Sequence, residues 1–305
     1  MANELLIVGS VALDSVKTPF GSVKEALGGS ATYASYAASF FTPVRMVGVV
    51  GDDFPVEHVE LLKRRPIDLG GLHAVRGKTF RWSGAYEYDL NEARTITTEL
   101  NVFETFKPQI PPAYRQSDFV FLANIDPDLQ LSVLDQVEKP KLVACDTMNL
   151  WIRSKPESLK RVIKRVDFLF INEAEARLFA DMPSLIKAGR VLQSWGPKYV
   201  VIKKGEHGAL LFGKETFFAA PAFPLEDVFD PTGAGDTFAG GFFGYVAENE
   251  GDTSDSTLRK AVVYGTAMAS FTVEKFSLER LTTLTTDQLI ARVRMLKELS
   301  HFDNP

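Results

Sequence analysis

The stretch Asp230-Pro231-Thr232-Gly233-Ala234-Gly235-Asp236-Thr237-Phe238, continued by Ala239-Gly240-Gly241, anchors the reading of this chain. Two glycines flank an alanine, so the backbone can approach a ligand with little side chain in the way. The apolar, small-residue run from Phe238 to Val246, ending in Ala247-Glu248, reads as a buried helix whose first turn is this loop. The free amides of such a turn make a seat for a phosphate. Asp236 then places a carboxylate inside an anion site. As a structural residue it is an ordinary helix-start aspartate. As a chemical one it is a general base beside a phosphate cradle, which phosphoryl transfer to a hydroxyl needs. The loop alone leaves both readings open.

The bulk of the chain narrows the setting. Its 305 residues are 45% hydrophobic and 24% charged, ordinary globular usage that leaves room for one large α/β domain or two smaller ones. A net charge of −5 argues against a nucleic-acid partner but not against small anions, which need only local positive potential. One cysteine, Cys145, excludes an internal disulfide and a cysteine-based zinc site. The first residues lack the basic flank and long apolar run of a signal peptide, and no apolar stretch reaches a bilayer span. The expectation is a soluble cytoplasmic protein with no membrane partner.

Outward from the loop, short apolar runs alternate with helical ones. Leu5–Val8, Arg45–Val50, Phe119–Leu122, Leu142–Cys145, Phe168–Ile171 and Tyr199–Ile202 read as strands, and 208–212 with 216–219 as a terminal hairpin. Helical runs separate them, the last being 257–275 and 286–299. The fold expected is a doubly wound, mostly parallel sheet flanked by helices. From His73 to about Thr105 the helical period disappears. Phe80, Trp82, Tyr86 and Tyr88 recur at even spacing, an antiparallel pattern with one apolar face. With 11–23 this segment is read as a small β-sheet lid, 11–23 and 73–105, outside a core of 1–10, 24–72 and 106–305. A sheet with open edges and a greasy face is expected to cover a site and to pair with a second copy, making a homodimer; the alternative is a plain surface hairpin.

Polar residues gather at the strand ends: Asp14 after the first, Asn124 after the third, Asp146 and Asn149 after the fourth, Asn172 and Glu175 after the fifth, and Lys203 to Gly208 after the sixth. Any one is an ordinary helix cap. Together, on the carboxyl edge of one sheet, they favour a ligand site. Asn172 and Glu175 lie three apart on a first helical turn and can hold a hydrated magnesium ion, which keeps most of its waters. No P-loop, no dinucleotide fingerprint, no protein-kinase signature set and no serine elbow occurs.

These residues resemble the ribokinase-like, or PfkB-type, carbohydrate kinases. The Asp230–Phe238 stretch is similar to the C-terminal signature of that family, and Gly28-Gly29 before a small-residue helix to the N-terminal one. Gly48 to Phe54 resembles the loop after the second strand, Asn172-x-x-Glu175 the magnesium and phosphate motif, and Lys203-x-Gly205-x-x-Gly208 the nucleotide turn. The likeness runs through essentially the whole chain, in order.

The resemblance implies an ATP-dependent kinase that moves the γ-phosphoryl group onto a hydroxyl of a sugar or polyol. Asp236 would be the base, and Gly233, Ala234 and Gly235 the anion hole. Asn172, Glu175, Lys203, Gly205, Gly208 and Thr232 would serve ATP and Mg2+, with the segment 264–273 near adenine. Asp14, Gly28, Gly29, Tyr33, Asn124 and Asp146 would line the acceptor site. Asp230, with Thr232, resembles a monovalent-cation position, which admits K+. One departure stands out: Tyr33 occupies the place where the family usually has a substrate-contacting Asn. With Trp151 it makes a nucleoside acceptor as reasonable as a sugar. A non-catalytic sugar or nucleotide sensor is the reading from another class, and a dehydrogenase a distant third.

Overall fold

The structure is a computed structural model, described for residues 4–88, 90 and 93–301. Its strands are β1 (Leu5–Val8), β2 (Ala12–Thr18), β3 (Gly21–Gly28), β4 (Val44–Gly51), β5 (Ile67–Val75), β6 (Phe80–Tyr86), β7 (Ala93–Glu99), β8 (Phe119–Leu122), β9 (Leu142–Asp146), β10 (Phe168–Asn172), β11 (Tyr199–Lys203), β12 (Ala209–Phe212) and β13 (Phe217–Ala220). Nine form the main sheet in the order β13-β12-β11-β10-β9-β8-β1-β4-β5. Pairing is parallel from β11 to β5 and antiparallel only at the β11–β12–β13 edge. From β1 the chain first builds outward through β4 and β5, then returns at β8 to build the other way. That reversal opens a crevice at the carboxyl ends of β1 and β8, where such sheets bind ligands.

Alternate residues of each central strand face opposite layers, as period two requires. Leu5, Ile7, Phe119, Phe121, Phe168 and Phe170 join Phe242 and Phe243 in one buried cluster, whereas Leu6, Val8, Val120, Leu122, Leu169 and Ile171 join the other. On the first face, the helices Ser30–Ala38 and Ala234–Glu248 lie in backbone contact. A Cβ on Gly240 would run into the main chain of Ala34, and one on Gly244 into Ala38. Small residues thereby bring Tyr33 and the Asp236 loop side by side.

The second sheet has the order β3-β2-β6-β7. It differs from the expected antiparallel ribbon. β6 is antiparallel to β7 but parallel to β2, so its central pair joins strands remote in sequence. It also runs to Gly28 rather than residue 23, and begins at Phe80, because residues 67–75 form the edge strand β5 of the main sheet. The Phe80 end of its apolar face is turned inward, with Phe80 stacked on Phe103 at 5.2 Å between ring centres, whereas Tyr88, expected on the same face, is 96% exposed. A clip fixes the crossing from β5. Asp53 accepts hydrogen bonds from the Thr79 amide and hydroxyl, each at 2.7 Å, and Arg81 bridges Asp53 (2.7 Å) and Glu25 (2.9 Å). A short helix, Asn149–Ser154, was not expected from sequence. Among the described residues no helix is long and apolar enough to cross a membrane.

Candidate active site

The site grows from the loop 230–236. Gly233 has φ +75° and caps the helix Ala234–Glu248; any side chain there would meet the Tyr33 ring as well as the strain of a left-handed backbone. The Ala234 amide donates to the Pro231 carbonyl (3.2 Å) and the Thr237 amide to Gly233 (2.8 Å). Among the described residues the amides of Gly235 and Asp236 have no partner. Ala234, expected as one of three anion-hole donors, therefore has its amide engaged, and the open donors lie one position further on. Asp230, fully buried, accepts from the Thr232 amide at 2.9 Å and faces no side-chain cation among the described residues.

Asp236, half-buried, projects from the first turn. Burial, then the charge of Asp146, raises its carboxyl to about 7, with Lys203 acting in the opposite direction. Asp146 and Lys203 leave the ends of β9 and β11 and bond across β10. Lys203 Nζ donates to Asp146 Oδ2 at 2.5 Å, while the Thr147 amide donates to Oδ1 at 2.8 Å. Burial works against the ammonium, yet Asp146, Asp236 and Glu175 outweigh it and hold Lys203 above the usual lysine range. Burial raises the Asp146 carboxyl, with Lys203 opposing that rise, and Nζ lies 3.2 Å from where a Gly235 Cβ would stand.

Asn172 and Glu175 form a reciprocal capping box: the Glu175 amide donates to Asn172 Oδ1 (2.8 Å) and the Asn172 amide to Glu175 Oε2 (2.9 Å). The ordinary helix-cap reading is therefore met by these two residues, whatever else they do. Glu175 is nevertheless buried, which pushes its carboxyl to about 7. Gly205–His207 make a single tight turn after Lys203, closed by the Lys204 amide on the Gly208 carbonyl at 2.8 Å.

Across the crevice, Asp14 sits on β2 of the second sheet rather than beyond the end of β1. Its carboxylate lies against Gly28, where a Cβ would overlap it. Burial first, then Asp230 and, more weakly, Asp236 raise it to about 7, against the lowering effect of the Gly29 amide. Gly29, at φ +96°, passes the Ser10 carbonyl too closely to carry a side chain. Tyr33 is 2% exposed, and burial together with Asp14, Asp230, Asp236 and Tyr86 holds its phenol well above the usual value. It fills the floor beside Gly233 rather than forming an open aromatic wall.

Two lining residues had no assigned role in the sequence. Trp82 is the register partner of Asp14, so the two side chains share a face, with the indole laid over Gly84. Tyr86, on the same face, receives a hydrogen bond from the Thr232 hydroxyl at 3.3 Å, tying the second sheet to the anion loop. Burial lifts its phenol to about 12. The even spacing of β6 was the available signal; the parallel partner that gives the face its meaning was not. Asn124 accepts from Trp151 Nε1 at 3.0 Å, so these two brace one another. The segment expected near adenine divides: Thr272 bonds Thr237 beside the loop (3.0 Å), whereas Tyr264 stacks on Tyr245, near the far end of the Asp236 helix.

Residues 5–283 match the family model described as pfkB family carbohydrate kinase. A cytidine kinase of Thermococcus kodakarensis is 32% identical over 246 residues, 78% of this chain and 87% of that kinase. A Burkholderia thailandensis nucleoside kinase in complex with inosine superposes with a TM-score of 0.78 at 19% identity, covering 96% of this chain and 98% of that one. Aminoimidazole riboside kinase from Salmonella enterica, complexed with aminoimidazole riboside and an ATP analog, gives 0.76 at 18% identity, covering 95% and 100%. The chain belongs to the pfkB family of carbohydrate kinases, and a small-molecule phosphotransferase is the activity its relatives support.

Proposed function

We propose that this chain transfers the γ-phosphoryl group of ATP to a hydroxyl of a nucleoside, with cytidine the first acceptor to try. The observation that carries the reading is the half-buried Asp236 carboxylate beside the open Gly235 and Asp236 amides, facing Asp14 across the crevice. In this mechanism Asp14 accepts hydrogen bonds from the acceptor's hydroxyls. Asp236 takes the proton of the attacking hydroxyl as its oxygen bonds to phosphorus and ADP leaves. The amides of Gly233, Gly235 and Asp236 face the charge on the transferred group, a preorganised donor set that needs no rearrangement during reaction. Lys203 and the 205–208 turn serve the nucleotide.

The donor set fits a hydrated divalent ion carried in with ATP. Among the described residues no group of three or more acidic, histidine or cysteine side chains could hold a metal alone, which suits an ion with few direct protein ligands. Mg2+ bound there would neutralise phosphate charge, with Asn172 and Glu175 holding it through water. Asp230, buried and facing no side-chain cation among the described residues, supports a monovalent cation such as K+. Nucleoside is preferred over sugar because Trp82 and Tyr86 put aromatic surface on the acceptor face and because the relative at 32% identity is a cytidine kinase. A sugar or polyol acceptor remains the second reading, supported by the carbohydrate-kinase family model. A homodimer through the second sheet also belongs to the proposal. With the Phe80 face turned inward, the contact falls to the open edges β3 and β7.

The test is ATP turnover with Mg2+ against nucleosides, sugars and polyols, with the product identified by mass. Phosphorylated cytidine or another nucleoside supports the reading. Turnover only with free sugars moves the acceptor class, and ligand binding without any ATP consumption turns the protein into a sensor.

A further inference from the structure

We propose that Asp146 is a positioning residue: it holds the Lys203 ammonium over the 233–236 loop, where Lys203 neutralises the phosphoryl group in transfer, and it does not bind the acceptor. The proposal rests on the kinase reading above and goes beyond it by reassigning Asp146.

The geometry leaves the Asp146 carboxylate little else to do. The residue is 2% exposed. Gln130, fully buried, grips the strand ends beneath it, its Nε2 donating to the carbonyls of Leu122 (3.3 Å), Ala123 (3.1 Å) and Asp146 (3.0 Å). The Thr147 amide orients Oδ1, so Oδ2 is directed at Lys203. An acceptor hydroxyl would have to displace a charge-assisted bond, roughly twice as strong as a neutral one. Lys203 in turn stands against Gly235 in a site otherwise rich in carboxylates. Asp236, Asp14, Asp230 and Glu175 surround the loop, and among the described residues Lys203 is the one side-chain cation acting on Asp236 and Glu175. A polyanion entering this site meets several carboxyls, and the placement of the ammonium that acts on Asp236 and Glu175 decides how well it is received.

The experiment compares Lys203→Met, Asp146→Asn, the double variant and Lys203→Arg in the full chain. Lys203→Met is expected to lower kcat on the order of 100-fold, as for loss of one preorganised anion-stabilising donor. Asp146→Asn should lower kcat roughly 10-fold, as for a residue that orients a ligand from behind, with acceptor KM unchanged. The double variant should be no worse than Lys203→Met, and Lys203→Arg should recover part of the loss. The acid limb of kcat/KM should move in opposite directions. Asp146 raises the Asp236 carboxyl and Lys203 lowers it, so Asp146→Asn shifts the limb to lower pH and Lys203→Met to higher. Asp14 from β2, Tyr33 from its helix, Tyr86 from β6 and Asp230 face the same crevice and are unchanged in all variants. A rise in acceptor KM for Asp146→Asn with kcat and pH limb intact would overturn the assignment. If a single variant misfolds, the double variant, which removes both members of the buried pair together, keeps the comparison with wild type. If wild type phosphorylates no acceptor, the kinase reading falls and the pair is judged by calorimetric binding of ADP and of inorganic phosphate. Weaker binding by both single variants sustains it, and unchanged binding overturns it.

Discussion

The two ends of the crevice are built by different means. At the phosphoryl end, position comes from the main chain: Gly233 in a left-handed conformation, two open amides after it, and Asp236 on the same helical turn. Even the cation there is fixed from another strand end, through Asp146 across β10. At the acceptor end, position comes from side chains on a separate sheet. Asp14 and Trp82 meet because β2 and β6 pair in parallel, and Tyr86 reaches back to Thr232 from the same face. One end is set by backbone geometry; the other is assembled from two sheets tied by the clip at Asp53, Thr79 and Arg81 and by the Thr232–Tyr86 bond. On the proposed function, chemistry would reside in the first and selectivity in the second, and substitutions should separate accordingly.

The sharpest break in that division would come at Asp236. Asp236→Asn should reduce turnover on the order of 10³-fold while ADP affinity by calorimetry stays near wild type, since only the base is removed. Turnover within tenfold of wild type would place the chemistry elsewhere. Acceptor-end changes should act on KM. Trp82→Ala is expected to raise acceptor KM about tenfold, and Tyr86→Phe, which removes one hydrogen bond to Thr232, about fivefold, with kcat little affected. A matching loss of kcat with KM unchanged would show that the second sheet takes part in the chemistry.

A smaller effect tests the burial of the carboxylates at both ends. Asp14, Asp236 and Glu175 are each raised to about 7 from ordinary values of 3.8, 3.8 and 4.5. The folded chain therefore binds protons that the unfolded chain has released, and stability falls as pH rises between about 4 and 7. The ligand-free protein should melt a few degrees lower at about pH 7.5 than at about pH 5.5, and Asp236→Asn, neutral throughout, should flatten part of that slope. A melting temperature that rises over the same interval would contradict the buried, mutually repelling arrangement.

The same contrast explains what the sequence revealed. Main-chain devices are local, so Gly233 to Asp236, the turn from Lys203 to Gly208 and the alternating strands of the main sheet were legible in short windows. The cap formed by Asn172 and Glu175 was legible too, although its ordinary reading and its chemical one share the same residues. Long-range pairing was not. Nothing near Phe80 announces that β6 will run parallel to β2, so the face shared by Asp14, Trp82 and Tyr86 could not be assembled from spacing. Nor could the commitment of the Ala234 amide to Pro231, which depends on how the loop closes, or of Asp146 to Lys203 across an intervening strand. Tyr33 illustrates the limit best: its departure from the family pattern was plain, but its position on the floor beside Gly233 required the contact between two small-residue helices.

The central claim, that Asp236 is the base, is tested most directly by the pH dependence of kcat/KM for the acceptor once one is identified. The free enzyme should show an acid limb centred at about 7, because the Asp236 carboxyl must lose its proton before it can accept one from the hydroxyl, with Asp14 and Glu175, raised to the same value, adding to its steepness. A profile that stays flat down to the ordinary aspartate range near 4 would contradict the account.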